Sequence, residues 1–220
     1  MFIGHFAVAF AAKRVAPKTN LATLLAASQL VDLLWPLFLL LGIEHVHIDP
    51  GNTAFTPLDF YDYPITHSLL GAVIWSVLFG ATYYFRRKLP REAIVVALVV
   101  FSHWLLDLLT HRPDLPLFSN TSPMFGLGLW NNPIATLVLE IGMFLFGAYL
   151  YLRTTKAKNK TGTYALAALI NVLLLFYLAN IFGPPPPNAE MIAIAGNAMW
   201  LFVLWAWWID KNRTTIITLQ

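Results

Sequence analysis

Long apolar runs separated by short polar segments dominate this chain. Six of the runs are about 20 residues long, enough for an α-helix to cross the roughly 30 Å hydrocarbon core of a bilayer. They cover residues 21–41, 65–85, 91–111, 133–152, 162–182 and 190–209. The pattern predicts an all-α fold, a polytopic membrane helix bundle with about six transmembrane helices.

A shorter apolar run, residues 2–12, precedes these six. As a helix it would be about 16 Å long, too short to cross a bilayer, so it predicts a half-membrane or interfacial helix. Its basic residues follow the apolar run, whereas a signal peptide carries them before it. We therefore expect this segment to be retained, with residues 1–220 forming one integral membrane domain.

Composition supports the membrane class and restricts the chemistry. Hydrophobic residues make up 58% of the chain and charged residues 11%, whereas charged residues are about 25% of a soluble domain. There is no cysteine, so disulfides, thiolate metal sites and thiol nucleophiles are excluded. Any metal must be held by nitrogen and oxygen ligands.

The net charge of +3 reflects membrane topology. Thirteen of the fourteen Lys and Arg residues fall in segments on one side of the six spans, and Arg112 lies on the other. By the positive-inside rule the basic side is cytoplasmic, so we expect both termini inside and the loops 42–64 and 113–132 outside the inner membrane. No nucleic-acid partner is expected.

Titratable residues within the apolar runs are the candidate chemistry. His103, Asp107 and His111 recur every four residues, so a helix places them in one stripe with metal-ligand spacing. Ionisable groups at mid-bilayer cost about 3 kcal/mol or more each, which a bound divalent cation would offset. Asp107, with a histidine one turn away on each side, is the candidate bridging ligand.

Other titratable residues are expected at compatible depths. Counted from the outer ends of their helices, Asp32 and His103 lie about 13 Å deep, Asp107 about 7 Å and His67 about 4 Å. His5 joins them if the amino-terminal segment is re-entrant. Such a nitrogen and oxygen set suits zinc, manganese or iron. For each histidine, the alternative to a metal ligand is a buried side chain held by hydrogen bonds. Glu140 could either contact the ligands and support them or form a hydrogen bond between helices.

Several motifs together resemble the membrane-bound metal-dependent hydrolase family, also described as LexA-binding, inner-membrane-associated hydrolases. They are Met1-Phe-Ile-Gly-His5, Asp32, Thr66-His67-Ser68 and His103-x-x-x-Asp107. The resemblance covers about residues 1–125, the predicted metal-site portion. The last three spans, within residues 133–210, match as apolar helices and are expected to support it.

The same residue order is similar to the zinc-dependent phospholipase C and single-strand nuclease superfamily, an all-helical trizinc fold. That similarity implies one zinc held by Asp32, His67, His103 and Asp107, with Asp107 shared to a second zinc that His5 also holds. His111 would begin a third site, but no histidine follows it. We therefore expect one or two zinc ions.

The resemblance implies an enzyme, a membrane-embedded hydrolase of a phosphoester in a lipid or lipid-linked substrate. Asp107 would be catalytic through a metal-activated water. Glu140, Ser68 and Arg112 are expected to support the ligands or contact the substrate. The loop 113–132, with Phe125 and Trp130, is expected to form an apolar lid. The alternatives are a metal-ion or proton-coupled transporter and a non-catalytic interaction protein of the bilayer.

Fusion reporters test the predicted topology. A reporter after Gln220 should behave as cytoplasmic and one within residues 113–132 as external, because basic segments are retained inside. A reporter in residues 86–91 is the matched internal control. An external carboxyl terminus would contradict the prediction and reverse the face on which the site opens.

Overall fold

The computed structural model describes residues 1–216 as a helical bundle. Its α-helices are α1 Ile3–Ala12, α2 Leu21–Ser28, α3 Leu30–Leu40, α4 Pro64–His67, α5 Leu69–Arg87, α6 Pro90–Thr110, α7 Pro133–Thr154, α8 Lys160–Phe182, α9 Ala189–Asn197 and α10 Trp200–Lys211. The predicted all-α bundle is confirmed.

Two small antiparallel hairpins and one antiparallel pair of distant strands lie outside the helices, where the sequence analysis predicted no strands. They pair β1 His45–Ile48 with β2 Leu58–Asp62, β3 Leu115–Pro116 with β4 Met124–Phe125, and β5 Thr155–Ala157 with β6 Arg213–Thr215. In the first hairpin His45 lies opposite Asp62 and His47 opposite Asp59. The three strand pairs join neighbouring segments at the ends of the bundle.

The apolar runs form helices that make this a membrane-embedded protein. Helices α5, α6, α7 and α8 and the segment Ala189–Lys211 are long and apolar enough to span a bilayer. The first predicted span, 21–41, is instead a pair of helices, α2 and α3, bent by 58° at Gln29. Residues 1–216 therefore contain five spanning candidates, or six if the bent pair is one span.

Helix α1 is short, as predicted, but it lies within the bundle rather than at its interface. Ile3, Phe6 and Phe10 are fully buried. The helix crosses α7 at Gly147, where an added Cβ would lie 2.4 Å from the Ala7 carbonyl oxygen. This close approach is possible because α1 carries no charged residue and α7 presents a glycine at the crossing.

The basic segments meet at one end of the bundle, here called the basic end. Lys13 Nζ donates to the Thr19 carbonyl at 2.7 Å, and Thr19 Oγ1 lies 2.9 Å from the Tyr83 hydroxyl near the end of α5. Arg213 of β6 donates to the Thr155 carbonyl of β5. The opposite end carries the β1–β2 hairpin and is called the hairpin end.

Paired glycine substitutions on α7 test the α1–α7 crossing. Gly147→Ala should lower the unfolding temperature in detergent and cost about 1–3 kcal/mol, because the added methyl overlaps the α1 backbone. Gly142→Ala is the matched control, since its added Cβ meets no atom of residues 1–216 within 4 Å. Equal unfolding temperatures for the two variants would contradict the crossing.

Candidate metal centre

Helices α1, α3, α4 and α6 bring five of the six predicted ligands into one buried cluster. On one side of it, Asp107 Oδ1 lies 3.1 Å from His5 Nε2, and Asp107 Oδ2 lies 3.1 Å from His103 Nε2. On the other, Asp32 Oδ1 lies 3.6 Å from His103 Nε2 and 3.3 Å from His67 Nε2. The cluster joins residues separated by about a hundred positions in sequence.

Two overlapping groups within the cluster have the dimensions of a metal site. His5, His103 and Asp107 form one group, and Asp32, His67 and His103 form the other; the ligand atoms of each lie within 4.8 Å of one another. Two atoms that bind one zinc ion at about 2.1 Å can be separated by up to about 4.2 Å. Modest adjustment of the side chains would bring either group onto one ion.

His103 is common to both groups, whereas the sequence analysis placed the shared ligand at Asp107. A neutral imidazole has one lone pair and cannot bridge two ions, but a carboxylate with two oxygens can. His103 can therefore serve one ion at a time. The two oxygens of Asp107 face different histidines, which keeps Asp107 suitable as a bridging ligand.

The hydrogen bonding of His103 fixes which of its nitrogens can bind a metal. His103 Nδ1 lies 2.8 Å from the Ser28 carbonyl oxygen, which can only accept, so Nδ1 carries a proton. In the neutral ring the lone pair is then on Nε2, which is buried and has no hydrogen-bond partner within residues 1–216. This lone pair faces the carboxylates of Asp32 and Asp107, an arrangement that is repulsive unless a cation lies between them.

His5 and His103 pack against each other as parallel rings. Their centroids are 3.6 Å apart and their planes differ by 5°. Before this end of α1, the Met1 α-amino group donates to Asp107 Oδ1 at 2.6 Å and forms an ion pair with it. Glu140 of α7 holds this end of α1 in place, because its Oε2 accepts hydrogen bonds from the backbone N–H groups of Phe2 at 2.8 Å and Gly4 at 3.2 Å.

His111 lies at the edge of the cluster, just after α6 ends. Its Nε2 is 4.0 Å from Asp107 Oδ1, and its Nδ1 is 2.9 Å from Asp114 Oδ1. The Tyr63 hydroxyl also donates to Asp114, at 3.1 Å. Burial, with a contribution from Asp114, raises the pKa of Tyr63 well above its usual value, so the hydroxyl remains a donor. Asp114 thus orients His111 with its second nitrogen toward Asp107.

Two other predicted residues make structural contacts near the cluster. Ser68 Oγ accepts a hydrogen bond from the Gly71 backbone N–H at 2.9 Å and caps α5. Arg112 forms ion pairs with Asp59 and Asp114 at the hairpin end. These contacts hold the ends of helices and loops that carry ligands.

Sequence reasoning missed Ser28, Tyr63 and Asp114, which contact the ligands, and Glu44, which reaches His67 through the Thr66 hydroxyl. Glu44 and Tyr63 belong to the segment 42–64, which was expected to be a polar loop, although both side chains are buried. A signal for Asp114 was available, because a carboxylate three residues after a histidine can turn back toward it. The contact of the Ser28 backbone carbonyl could not be predicted from sequence, because every residue has such a carbonyl.

Access to the cluster is narrow and largely apolar. Asp107 and His103 are each 2% exposed, whereas the Asp32 side chain is 24% exposed, so the cluster opens beside Asp32. A narrow crevice, too tight to hold a water molecule, reaches His67 and His103 between α3, α4, α5 and α6. It is lined by Val31, Thr66, His67, Ala72, Val100, His103 and Trp104.

The loop 113–132, predicted as a lid, covers the edge of the cluster at the hairpin end. Trp130 is buried, and its ring centroid lies 4.2 Å from that of His111. Phe125 is 39% exposed and contacts Trp104 edge to face at 6.4 Å. Apolar side chains of this loop therefore lie over both His111 and the crevice residue Trp104.

No protein-family model, curated protein or solved structure matches this chain. The resemblance to membrane-bound hydrolases therefore depends on the residue pattern given above. The case for a function rests on the geometry of the cluster.

Histidine substitutions test whether the cluster binds metal. His103→Ala should reduce zinc retained by the detergent-purified protein more than His67→Ala, because His103 belongs to both groups. Retention should also fall below about pH 6, since neutral imidazoles and carboxylates are required. His47→Ala is the control, because this side chain stacks on Tyr61 in the β1–β2 hairpin. Equal zinc content in all variants would contradict a metal site.

Proposed function

We propose that the protein is a membrane-embedded metal-dependent hydrolase that acts on a phosphoester of a lipid or lipid-linked substrate. The observation that carries the proposal is the buried Nε2 atom of His103, which lies 3.1 Å from Asp107 Oδ2 and 3.6 Å from Asp32 Oδ1 and has no hydrogen-bond partner within residues 1–216. Zinc fits this nitrogen and oxygen donor set, held by His5, His103 and Asp107 or by Asp32, His67 and His103, because His103 can serve one ion at a time.

Hydrolysis of a phosphoester needs an activated water close to the phosphorus atom. A divalent ion supplies Lewis-acid activation of that water and of a phosphoryl oxygen. Asp107 is placed to orient the water, because its two oxygens face different histidines. The water attacks phosphorus, the ester P–O bond breaks, and the leaving oxygen takes up a proton. Asp107 is therefore the residue on which the rate should depend most.

The position and lining of the crevice support a lipid substrate. Val31, Ala72 and Val100 line it, and α5 and α6 are spanning candidates. A phosphate attached to acyl chains can approach through such a wall, whereas a free nucleotide would have to lose its hydration there. The depth of the cluster in a membrane bundle is thus explained by a substrate that comes from the bilayer.

The charge distribution supports a cytoplasmic basic end and a site that opens toward the outer face of the inner membrane. Segments carrying Lys13, Lys156 and Arg213 meet at the basic end. His111 and the β1–β2 hairpin lie at the opposite end. The positive-inside rule then places both termini in the cytoplasm.

A metal-ion or proton-coupled transporter is the second candidate, favoured by the bend between α2 and α3. Discontinuous helices beside a buried ion site are a feature of carriers, and the bend lies at Gln29, next to the carbonyl that binds His103. Zinc uptake into proteoliposomes without hydrolysis of any phosphoester would favour this candidate.

Asp107→Asn tests the catalytic assignment. The change keeps the shape of the side chain but removes its charge, so we expect hydrolysis of a lipid phosphoester to fall at least about 100-fold, near 2.7 kcal/mol. A panel of phospholipids in mixed micelles provides the measurement. Asp62→Asn is the matched control, because Asp62 pairs with His45 in the hairpin. Full activity of Asp107→Asn would show that α6 does not carry the catalytic residue.

A further inference from the structure

Glu44 is a buried carboxylate in a segment that otherwise faces the hairpin end. The residue is only 1% exposed, and three hydrogen-bond donors contact its carboxylate. Glu44 Oε1 accepts from the backbone N–H groups of Ile65 at 2.8 Å and Thr66 at 2.9 Å. Glu44 Oε2 accepts from the Thr66 hydroxyl at 2.7 Å. A carboxylate with this many donors is well compensated for its burial.

The bond from Thr66 to Glu44 determines the protonation of His67. A threonine hydroxyl has one proton, and here Glu44 receives it. Thr66 Oγ1 also lies 2.7 Å from His67 Nδ1, so toward this nitrogen it can only accept. His67 Nδ1 therefore carries the ring proton. In the neutral ring the lone pair is then left on Nε2. The 3.3 Å contact of Nε2 with Asp32 Oδ1 is a hydrogen bond only when Nε2 carries a second proton, and a metal ion would take the place of that proton.

We propose that Glu44 is a positioning residue for the metal centre, acting through the Thr66 hydroxyl to hold His67 with Nε2 free for a cation. The inference rests on the proposed metal-binding function. His103 and His111 are held in a similar way, because their Nδ1 atoms hydrogen-bond to the Ser28 carbonyl and to Asp114. Glu44 differs in acting through an intermediate hydroxyl, which can be removed separately.

A purely structural role for Glu44 would be to cap α4, and its two backbone bonds to Ile65 and Thr66 serve that role. The hydroxyl bond is additional to this cap. The rings beside His67 are those of Tyr63, His103 and Trp35, at 4.9, 5.6 and 6.3 Å between centroids. None of them hydrogen-bonds to His67 Nδ1 within residues 1–216. Without the hydroxyl, the His67 ring can rotate or place its proton on Nε2. A proton there would bond to Asp32 and compete with the metal.

Variants at Thr66 separate the two roles. Thr66→Val removes the hydroxyl but keeps the side-chain shape and both backbone bonds to Glu44. Loss of such an outer hydrogen bond typically weakens metal binding about 10- to 100-fold, and we expect this loss for zinc in a chelator-competition titration. Thr66→Ser keeps the hydroxyl and should bind zinc as the wild type does. The metal-free Thr66→Val protein should lose some stability, because Glu44 Oε2 and His67 Nδ1 lose a buried partner, but both variants should remain folded at the temperature of the titration.

Glu44→Gln reverses the hydrogen-bond direction without changing size. Its amide oxygen can accept from the two backbone N–H groups, while its NH₂ group donates to Thr66 Oγ1. The hydroxyl would then donate to His67 Nδ1 and move the ring proton to Nε2. We therefore expect Glu44→Gln to lose zinc affinity to an extent similar to Thr66→Val.

Three outcomes would overturn the inference. One is equal zinc affinity in Thr66→Val and Thr66→Ser; another is an affinity loss in Thr66→Val that is explained by unfolding of the metal-free protein under the titration conditions. If the wild type binds no zinc, the inference fails together with the proposed function. If the affinities follow the expected order but no phosphoester is hydrolysed, the proposed reaction fails and the role of Glu44 stands.

Discussion

Two aspartates lie inside an apolar helix bundle, Asp107 buried and Asp32 partly exposed, and the need to compensate their charges is the constraint on which the rest of the structure depends. Removing a carboxylate from water costs several kcal/mol even after relaxation, so Asp32 and Asp107 each need close partners. The partners come from α1, α4 and α6, and this requirement draws α1 into the interior beside α6. The same contacts place His5 and His103 on opposite oxygens of Asp107.

The insertion of α1 in turn depends on α7, which contributes no metal ligand. Gly147 lets the two backbones approach closely, and Glu140 accepts the N–H groups at the start of α1. A larger residue at Gly147 would displace α1. Without Glu140, the buried N–H groups of Phe2 and Gly4 would lose their acceptor, at a cost of about 1–3 kcal/mol each. A helix from the supporting half of the chain therefore sets the position of His5.

The spacing of the titratable residues and the length of the apolar runs were sufficient to predict the parts of the structure that depend on local sequence. The spanning helices follow from apolar runs of about 20 residues, and the stripe of His103, Asp107 and His111 follows from their spacing. The bend at Gln29 could not be predicted, because no glycine or proline marks it, while Pro36 lies inside α3 without breaking it. Glu44 was missed because a carboxylate in a polar loop is usually solvated, and its burial depends on the tertiary contacts of α4.

Protonation of the histidines, instead of metal binding, is the other explanation for the cluster. The hydrogen-bond directions argue against it. A second proton on His103 would satisfy Asp107 and Asp32, but the His67 lone pair would still face Asp32 at 3.3 Å. A further proton on His67 would be needed, and each added imidazolium lies close to another histidine ring, since the His67 and His103 centroids are 5.6 Å apart. One divalent cation can accept both lone pairs and neutralise both carboxylates at once. Metal binding therefore accounts for the orientation of these rings with fewer buried charges than protonation does.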